Sequence, residues 1–285
     1  MKPGGLGRLA DRVGYLALLG LGLLVFGFPL YWMVRGAFIT QATWLKVPTV
    51  WLPREFTAQA FSDIFAQFRM SRVLLNTLAL ATATMIANVL FDSLAGFAFA
   101  KMRVPFKEWI FLTLLVTLMV PFEGLMVPLY LIVTKAGLAN TMVGLVLPGA
   151  ASAFCIYLMR QFFSKVPDDL IEAAVVDGAG WLRVFFSVAA PLAAPAVATV
   201  AVITFLAGWE SFIWPLLITD PHSKFDVLQK VIAQAAYTSM QGTSAGIEFP
   251  WLMAAALLST LPVLVLFAFF QRYFIAGLTA GAVKG

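Results

Sequence analysis

Cysteine and histidine are nearly missing from this chain of 285 residues: Cys155 and His222 are the only ones. A lone cysteine in an apolar run excludes an intrachain disulfide and a cysteine metal cluster. With one histidine there is no nucleophile and base pair, H-E-x-x-H does not occur, and no metal site is expected. The phosphate loop G-x-x-x-x-G-K-[ST] is also absent, so any nucleotide that energises this protein is hydrolysed by another chain. Charge is scarce too, at 12% of residues. The net charge of +5 comes from Lys and Arg scattered among connecting segments, which argues against a nucleic-acid surface and suits anchoring beside a lipid bilayer.

Apolar residues make up 61% of the chain and the mean hydropathy is +0.92, too much for the surface of a soluble globule. An all-α, multi-pass membrane protein is expected. Residues 1–12 form a basic N-terminus with Lys2, Arg8 and Arg12. The run from about Val13 to Val34 is longer than a signal-peptide core and has no small-x-small cleavage site after it, so it reads as an uncleaved first span, with Pro29 as a place for a kink. Residues 35 to 71, carrying Trp44, Pro48, Trp51 and Pro53, suit a folded loop at the membrane interface. Further spans are expected at about Arg72 to Ala100, Trp109 to Val133, Thr141 to Phe163, Leu192 to Thr219 and Pro250 to Phe270. A second polar loop covers Asp220 to Phe249. The six-span domain is thus residues 13–270, followed by a tail at 271–285, and both termini share one side. With the N-terminus inside, the inner segments hold eleven of the 19 Lys and Arg, so the positive-inside bias favours cytoplasmic termini.

Between the fourth and fifth runs, in a connecting loop at 164–191, lies VPDDLIEAAVVDGAG, from Val166 to Gly180. Pro167, Asp168 and Asp169 suit a helix start, where proline is tolerated and carboxylates face the positive end of the dipole. Asp169 and Glu172 also have capping-box spacing. Small Ala173 and Ala174 follow, and Gly178 is suited to a left-handed stop. Such a short helix can be gripped by another protein's cleft or can be a solvated connector, and its spacing alone does not choose.

Three carboxylates, Asp92, Glu123 and Glu210, lie in or near apolar runs. A charge at a helix centre costs roughly 2.5 to 3.5 kcal/mol on the insertion scale, so such groups face a polar cavity or a partner. Asp92 reads as structural. Glu123 sits between Pro121 and Pro128. Glu210, in GWESFIWP beside Trp209, Ser211 and Trp214, has the make-up of a sugar-binding element, with hydroxyls on the acid and C–H faces on the indoles; a structural hydrogen bond between helices is its other reading.

The order Glu172-Ala173-Ala174, three residues, then Gly178 and Ala179 resembles the EAA loop of permease subunits of bacterial ABC importers. RQFFSKVPDDLIEAAVVDGAG from Arg160, PLAAPA at Pro191, GWESFIWPLL at Gly208 and QRYFIAGLTAGAVKG from Gln271 are similar to the carbohydrate-uptake branch that includes the maltose-type permeases. SLAGFAFAKMRVPF at Ser93 and GLANTMVGLVLP at Gly137 agree with it, and the likeness runs from about Trp51 to the last residue.

That resemblance implies the type I importer fold in the bacterial inner membrane and no catalysis by this chain. Glu172, Ala173, Ala174, Asp177, Gly178 and Ala179 would dock on cytoplasmic ATPase subunits, which use ATP and Mg, while this chain binds no cofactor. Ala282, Val283 and Lys284 of the tail would also reach the ATPase dimer. The implied partners are two ATPase subunits, a second homologous permease and an extracytoplasmic solute-binding protein that docks on residues 36–71 and 220–249. Glu123, Trp209, Glu210, Ser211 and Trp214 are the expected solute pathway. Prolines 121, 128, 195 and 215 would bend or break helices around it. Relatives often carry Trp-Asn-Asp where this chain has Trp209-Glu210-Ser211, a departure that bears on the solute. A neutral sugar is expected, since no Arg or Lys lies mid-span on the third or fifth run to meet a phosphate. The competing reading, a proton-coupled secondary transporter using Glu123 or Glu210, would need this chain to transport alone, and the sequence shows no internal repeat.

Overall fold

The computed structural model describes residues 5–46, 49, 51–53, 55–221, 223–240 and 248–282, and no strand occurs among them. Along the chain the helices are α1 (Gly5–Ala37), α2 (Gln41–Trp44), α3 (Gln59–Phe68), α4 (Met70–Lys101), α5 (Lys107–Thr117) and α6 (Phe122–Lys135). Next come α7 (Met142–Val146), a 3-10 turn (Leu147–Gly149), α8 (Ala153–Phe163), α9 (Asp168–Val176) and α10 (Trp181–Val184). A π-helical turn (Phe185–Ala189) leads into α11 (Ala190–Leu192), α12 (Ala194–Trp209), α13 (Ile213–Ile218), α14 (Leu228–Met240) and α15 (Phe249–Ala282).

The chain divides into two compact units, the first formed by Met1–Met70 with Ile232–Leu261 and the second by Ser71–Val231 with Pro262–Gly285. In the first unit, Arg12–Ala37 of α1 is long and apolar enough to cross a membrane, and Pro29 lies inside the helix without interrupting it. The segment after it is packed by aromatics. Trp32 meets Trp44 and Trp51 edge-on, Trp44 stacks on Phe249, and the Arg35 guanidinium lies 4.7 Å from the centre of the Trp32 ring. Indoles that bury their faces while keeping a polar edge suit the bilayer interface.

In the second unit α4 makes two close approaches through glycines, one at its own Gly96 and one at Gly208 of α12. A Cβ on Gly96 would lie 2.5 Å from Cβ of Met159, and one on Gly208 would lie 2.8 Å from Cα of Ala81, so α8 and α12 both approach α4 closely. Phe97, Cys155, Met159, Phe163, Phe185 and Val200 share one buried cluster with Ile171 of α9.

The expected third and fourth spans are broken rather than straight, and a third bend falls where the connecting loop was expected to meet the fifth span. Residues 107–117 and 122–135 meet at 100°, 142–149 and 153–163 at 51°, and 181–192 and 194–209 at 87°. Each broken pair counted as one span, together with the long helices α1, α4 and α15, gives up to six. Pro121 has no N–H to continue the ladder and stands at the first break, whereas Pro128 is carried inside α6. Pro195 falls in the first turn of α12 and Pro215 near the start of α13, positions where a missing N–H costs nothing. The fifth run does not reach Thr219 as one helix: it stops at Trp209 and restarts at Ile213.

The expected loop from Asp220 to Phe249 contains a helix, α14, because Val227, Leu228 and Val231 are apolar and buried. Lys230 is buried with them. Its ammonium donates to Asp226 Oδ1 at 2.7 Å, to Thr219 Oγ1 at 2.6 Å and to the Asp220 carbonyl at 2.7 Å. Asn76 Nδ2 donates to the Asp226 carbonyl, and the Leu228 N–H donates to Thr77 Oγ1, which fastens the start of α14 to α4. At the chain end, α15 runs past Phe270 to Ala282, through most of the segment read as a tail. His222, Val283 and Lys284 lie outside the described residues.

Candidate functional site

Two places in the second unit bear on function. The first is α9. Pro167 caps it with extended backbone and no side-chain bond, so the helix begins at Asp168 and Asp169 is its second residue. The capping box expected between Asp169 and Glu172 therefore does not form. Both aspartates still lie in the first turn, where the helix dipole favours them. Lys101, at the end of α4, completes the entry by donating to the Val166 carbonyl at 2.6 Å and pairing with Asp168.

The stop is fully specified. Gly178 adopts φ +81°, its N–H donates to the Val175 carbonyl, and the Ala179 N–H donates back to the Ala174 carbonyl. These two bonds with a left-handed residue between them form a Schellman motif, which only glycine enters at low cost. Of the predicted coupling residues, Glu172, Ala173, Asp177 and Gly178 are exposed, while Ala174 and Ala179 are half-buried against the chain's own cluster. Ile171 anchors the helix from the inner face.

The second place is a cavity of about 660 Å³ bounded by α4, the break before α8, and the α12–α13 junction. Glu210, Ser211 and Trp214 line it, with Thr84, Asn88, Ser152 and Thr204 as further polar groups. Trp209 and Glu123 are not among its lining residues. The arrangement also differs from a carboxylate between two open indole faces. Trp209 is buried and stacked on Phe205 one turn earlier. Trp214 is buried as well; its Nε1 donates to the Gly144 carbonyl at 3.0 Å and its ring meets Phe122 edge-on. Glu210 itself is exposed at the end of α12, and it is the one charged side chain in the lining.

Sequence reasoning missed Asn88, Thr84, Ser152 and Thr204. Their only signal was polarity inside apolar runs, and Asn88, one turn before Asp92, was the clearest of them. Asp92 is structural in the expected sense: it is buried and its Oδ1 accepts the Ser152 N–H at 3.0 Å.

The inner cluster and the cavity share their walls. Ile171 touches the same buried set as Phe163 at one end of α8 and Ala196 and Val200 on α12. The other ends of those helices, Cys155 on α8 and Ala207 and Gly208 on α12, face the cavity.

Residues 92–279 match the family described as binding-protein-dependent transport system inner membrane component. The chain belongs to this family. Among similar proteins, the transport component is 34% identical over 281 residues to the lactose transport system permease protein LacG of Rhizobium radiobacter, covering 97% of both chains. It is 28% identical over 277 residues to the sn-glycerol-3-phosphate transport system permease protein UgpE of Brucella abortus, covering 95% of this chain and 96% of that one. Its fold is that of a chain in the crystal structure of a bacterial ABC transporter involved in import of the acidic polysaccharide alginate, with a TM-score of 0.82, 21% identity and coverage of 96% and 99%.

Proposed function

We propose that this chain is the membrane subunit through which an ATP-driven importer passes a neutral sugar, with two separate ATPase subunits gripping α9 and a second, homologous permease completing the path. The observation that carries this reading is α9 itself. It is a short helix tied at both ends, anchored by Ile171, and open along Glu172, Ala173, Val176 and Asp177, in a family whose transport depends on a binding protein. An extracytoplasmic binding protein delivers the solute. ATP-driven closure of the ATPase pair displaces α9, and α8 and α12 carry that displacement to the cavity wall. ATP and Mg stay with the partner subunits. For α9 to meet a cytoplasmic ATPase, both termini lie on the cytoplasmic side.

The lining chemistry supports a neutral sugar. Thr84, Ser152, Thr204 and Ser211 offer hydroxyl groups, and Glu210 accepts from hydroxyls while repelling a phosphate or uronate. The relatives named above differ in solute, so their names alone do not select one. A gradient-driven route through Glu123 and Glu210 lacks support, since only Glu210 lines the cavity.

The test is to tag this chain, purify it from its membrane in mild detergent, identify what comes with it by mass spectrometry, and reconstitute the complex with a panel of sugar-loaded binding proteins. Two copies of a phosphate-loop ATPase, one other permease and ATP-dependent sugar uptake are expected. Uptake by this chain alone, driven by a proton gradient, would overturn the reading.

A further inference from the structure

The break before α8 is held from the side. The 51° bend between the 3-10 turn and α8 frees a carbonyl at the end of the first piece and N–H groups at the start of the second. Within a bilayer nothing but protein or trapped water satisfies such groups. Asn88 and Asp92, one turn apart on the same face of α4, meet one of each kind. Asn88 Nδ2 donates to the Gly149 carbonyl at 2.6 Å, and Asp92 Oδ1 accepts the Ser152 N–H at 3.0 Å. Ser152 Oγ then accepts the Cys155 N–H at 3.4 Å, so the hold reaches the first turn of α8.

We propose that Asn88 and Asp92 are positioning residues which clamp this break and so fix one wall of the solute cavity. Pro148, Gly149, Ala151, Ser152 and Cys155, all in or beside the break, line that cavity. The two side chains match their roles, since an amide can donate to a carbonyl and a carboxyl oxygen can accept from an N–H. Both are almost fully buried. Asp92 Oδ2 has no hydrogen-bond partner among the described residues, nor has the neighbouring Ser93 Oγ. An unpaired buried acceptor opposes folding, so a carboxyl at this position is not explained by stability. Its other oxygen, set on the Ser152 N–H, gives the reason for its presence. The clamp leaves the chemistry of transport to other residues and decides where the wall stands. It rests on the importer reading for its purpose, though not for its geometry.

Cys155 is the only cysteine of the chain, is buried, and sits one turn from the clamped bond, so it reports on the break without any added label. In the purified complex in lipid vesicles, the rate of maleimide addition to Cys155 is read by mass spectrometry of this chain, beside sugar moved per ATP hydrolysed. Asp92→Ala and Asn88→Ala should each raise the labelling rate about tenfold, as loss of a local hold raises local opening, and should lower the sugar-to-ATP ratio. Asp92→Asn keeps an oxygen acceptor of the same size and should restore both to near the unmodified values. Labelling of the Ala variants at the unmodified rate would overturn the clamp. So would Asp92→Asn behaving like Asp92→Ala, or failure of all three variants to accumulate in the membrane, which would assign these residues to folding. The stated labelling pattern in a complex that moves no sugar would overturn the importer reading and leave the clamp standing.

Discussion

Lys101, the last residue of α4, is paired with Asp168, the first residue of α9, and the two ends of this bond are unequally exposed. The Lys101 side chain is 5% exposed and that of Asp168 is 73%. An ion pair with one open carboxylate contributes at most about 1 kcal/mol. The buried ammonium also donates to the Val166 carbonyl, and that bond holds the entry to α9 whether or not the carboxylate stays. Asp168→Asn should therefore leave transport within about twofold of the unmodified rate. Lys101→Met, which orphans the carbonyl as well, should lower the sugar moved per ATP by about tenfold. Measuring both ratios in vesicles checks the asymmetry, and equal losses would show that the ion pair is what matters.

At the other end of α9, Gly178→Pro removes the N–H that donates to Val175 and demands a φ that a pyrrolidine ring cannot adopt at +81°. The Schellman stop is lost while the spans are untouched. Stimulation of ATP hydrolysis by the sugar-loaded binding protein should disappear in an assembled complex. Normal stimulation would remove the coupling role from this segment.

Glu210 stands in the cavity and accepts from solute hydroxyls in the proposed path. Glu210→Ala should lower sugar uptake severalfold, on the scale of one charged hydrogen bond, without changing the subunits that copurify. Unchanged uptake would return Glu210 to a purely structural place at the end of α12.

Lys230 and Asp226 are buried together, and removing one partner of such a pair strands the other. Lys230→Met should destabilise the chain by about 3–5 kcal/mol, seen as a lower unfolding midpoint in detergent. The double variant Lys230→Met with Asp226→Leu should recover much of that loss, because two apolar side chains leave no uncompensated charge. A double variant no more stable than the single one would refute this account.

Features set by neighbours in sequence were legible, and features set by distant residues were not. Gly178 could be read as a stop because the Schellman bonds close within six residues, Ala174 to Ala179. The capping box was misread because Pro167, not Asp169, caps α9, at a start that Lys101, far back in the chain, helps to hold. Hydropathy found where the apolar runs lie but passed smoothly over their bends. Pro121 breaks its run and Pro128 does not, although both are prolines in the same apolar run. Trp209 and Trp214 looked like flanks of Glu210 from their closeness in sequence. The non-helical stretch between α12 and α13 separates them, and each indole is spent on a buried contact. Asn88 and Asp92 carried the right spacing for a shared face, but what that face holds arrives some 60 residues later.

The open side of α9 bears on how many copies of this subunit a cell keeps. Leu170 and Val176 on the helix, and Leu182 just beyond it, are 45%, 85% and 66% exposed on a segment outside the apolar runs. A nine-residue helix has little stability of its own, and in the proposed complex another protein supplies its remaining apolar contacts. Until they are covered, a newly made chain displays in water the kind of surface that chaperones and membrane proteases seize. Its abundance is therefore expected to follow the supply of whatever protein covers α9, with copies made in excess being short-lived.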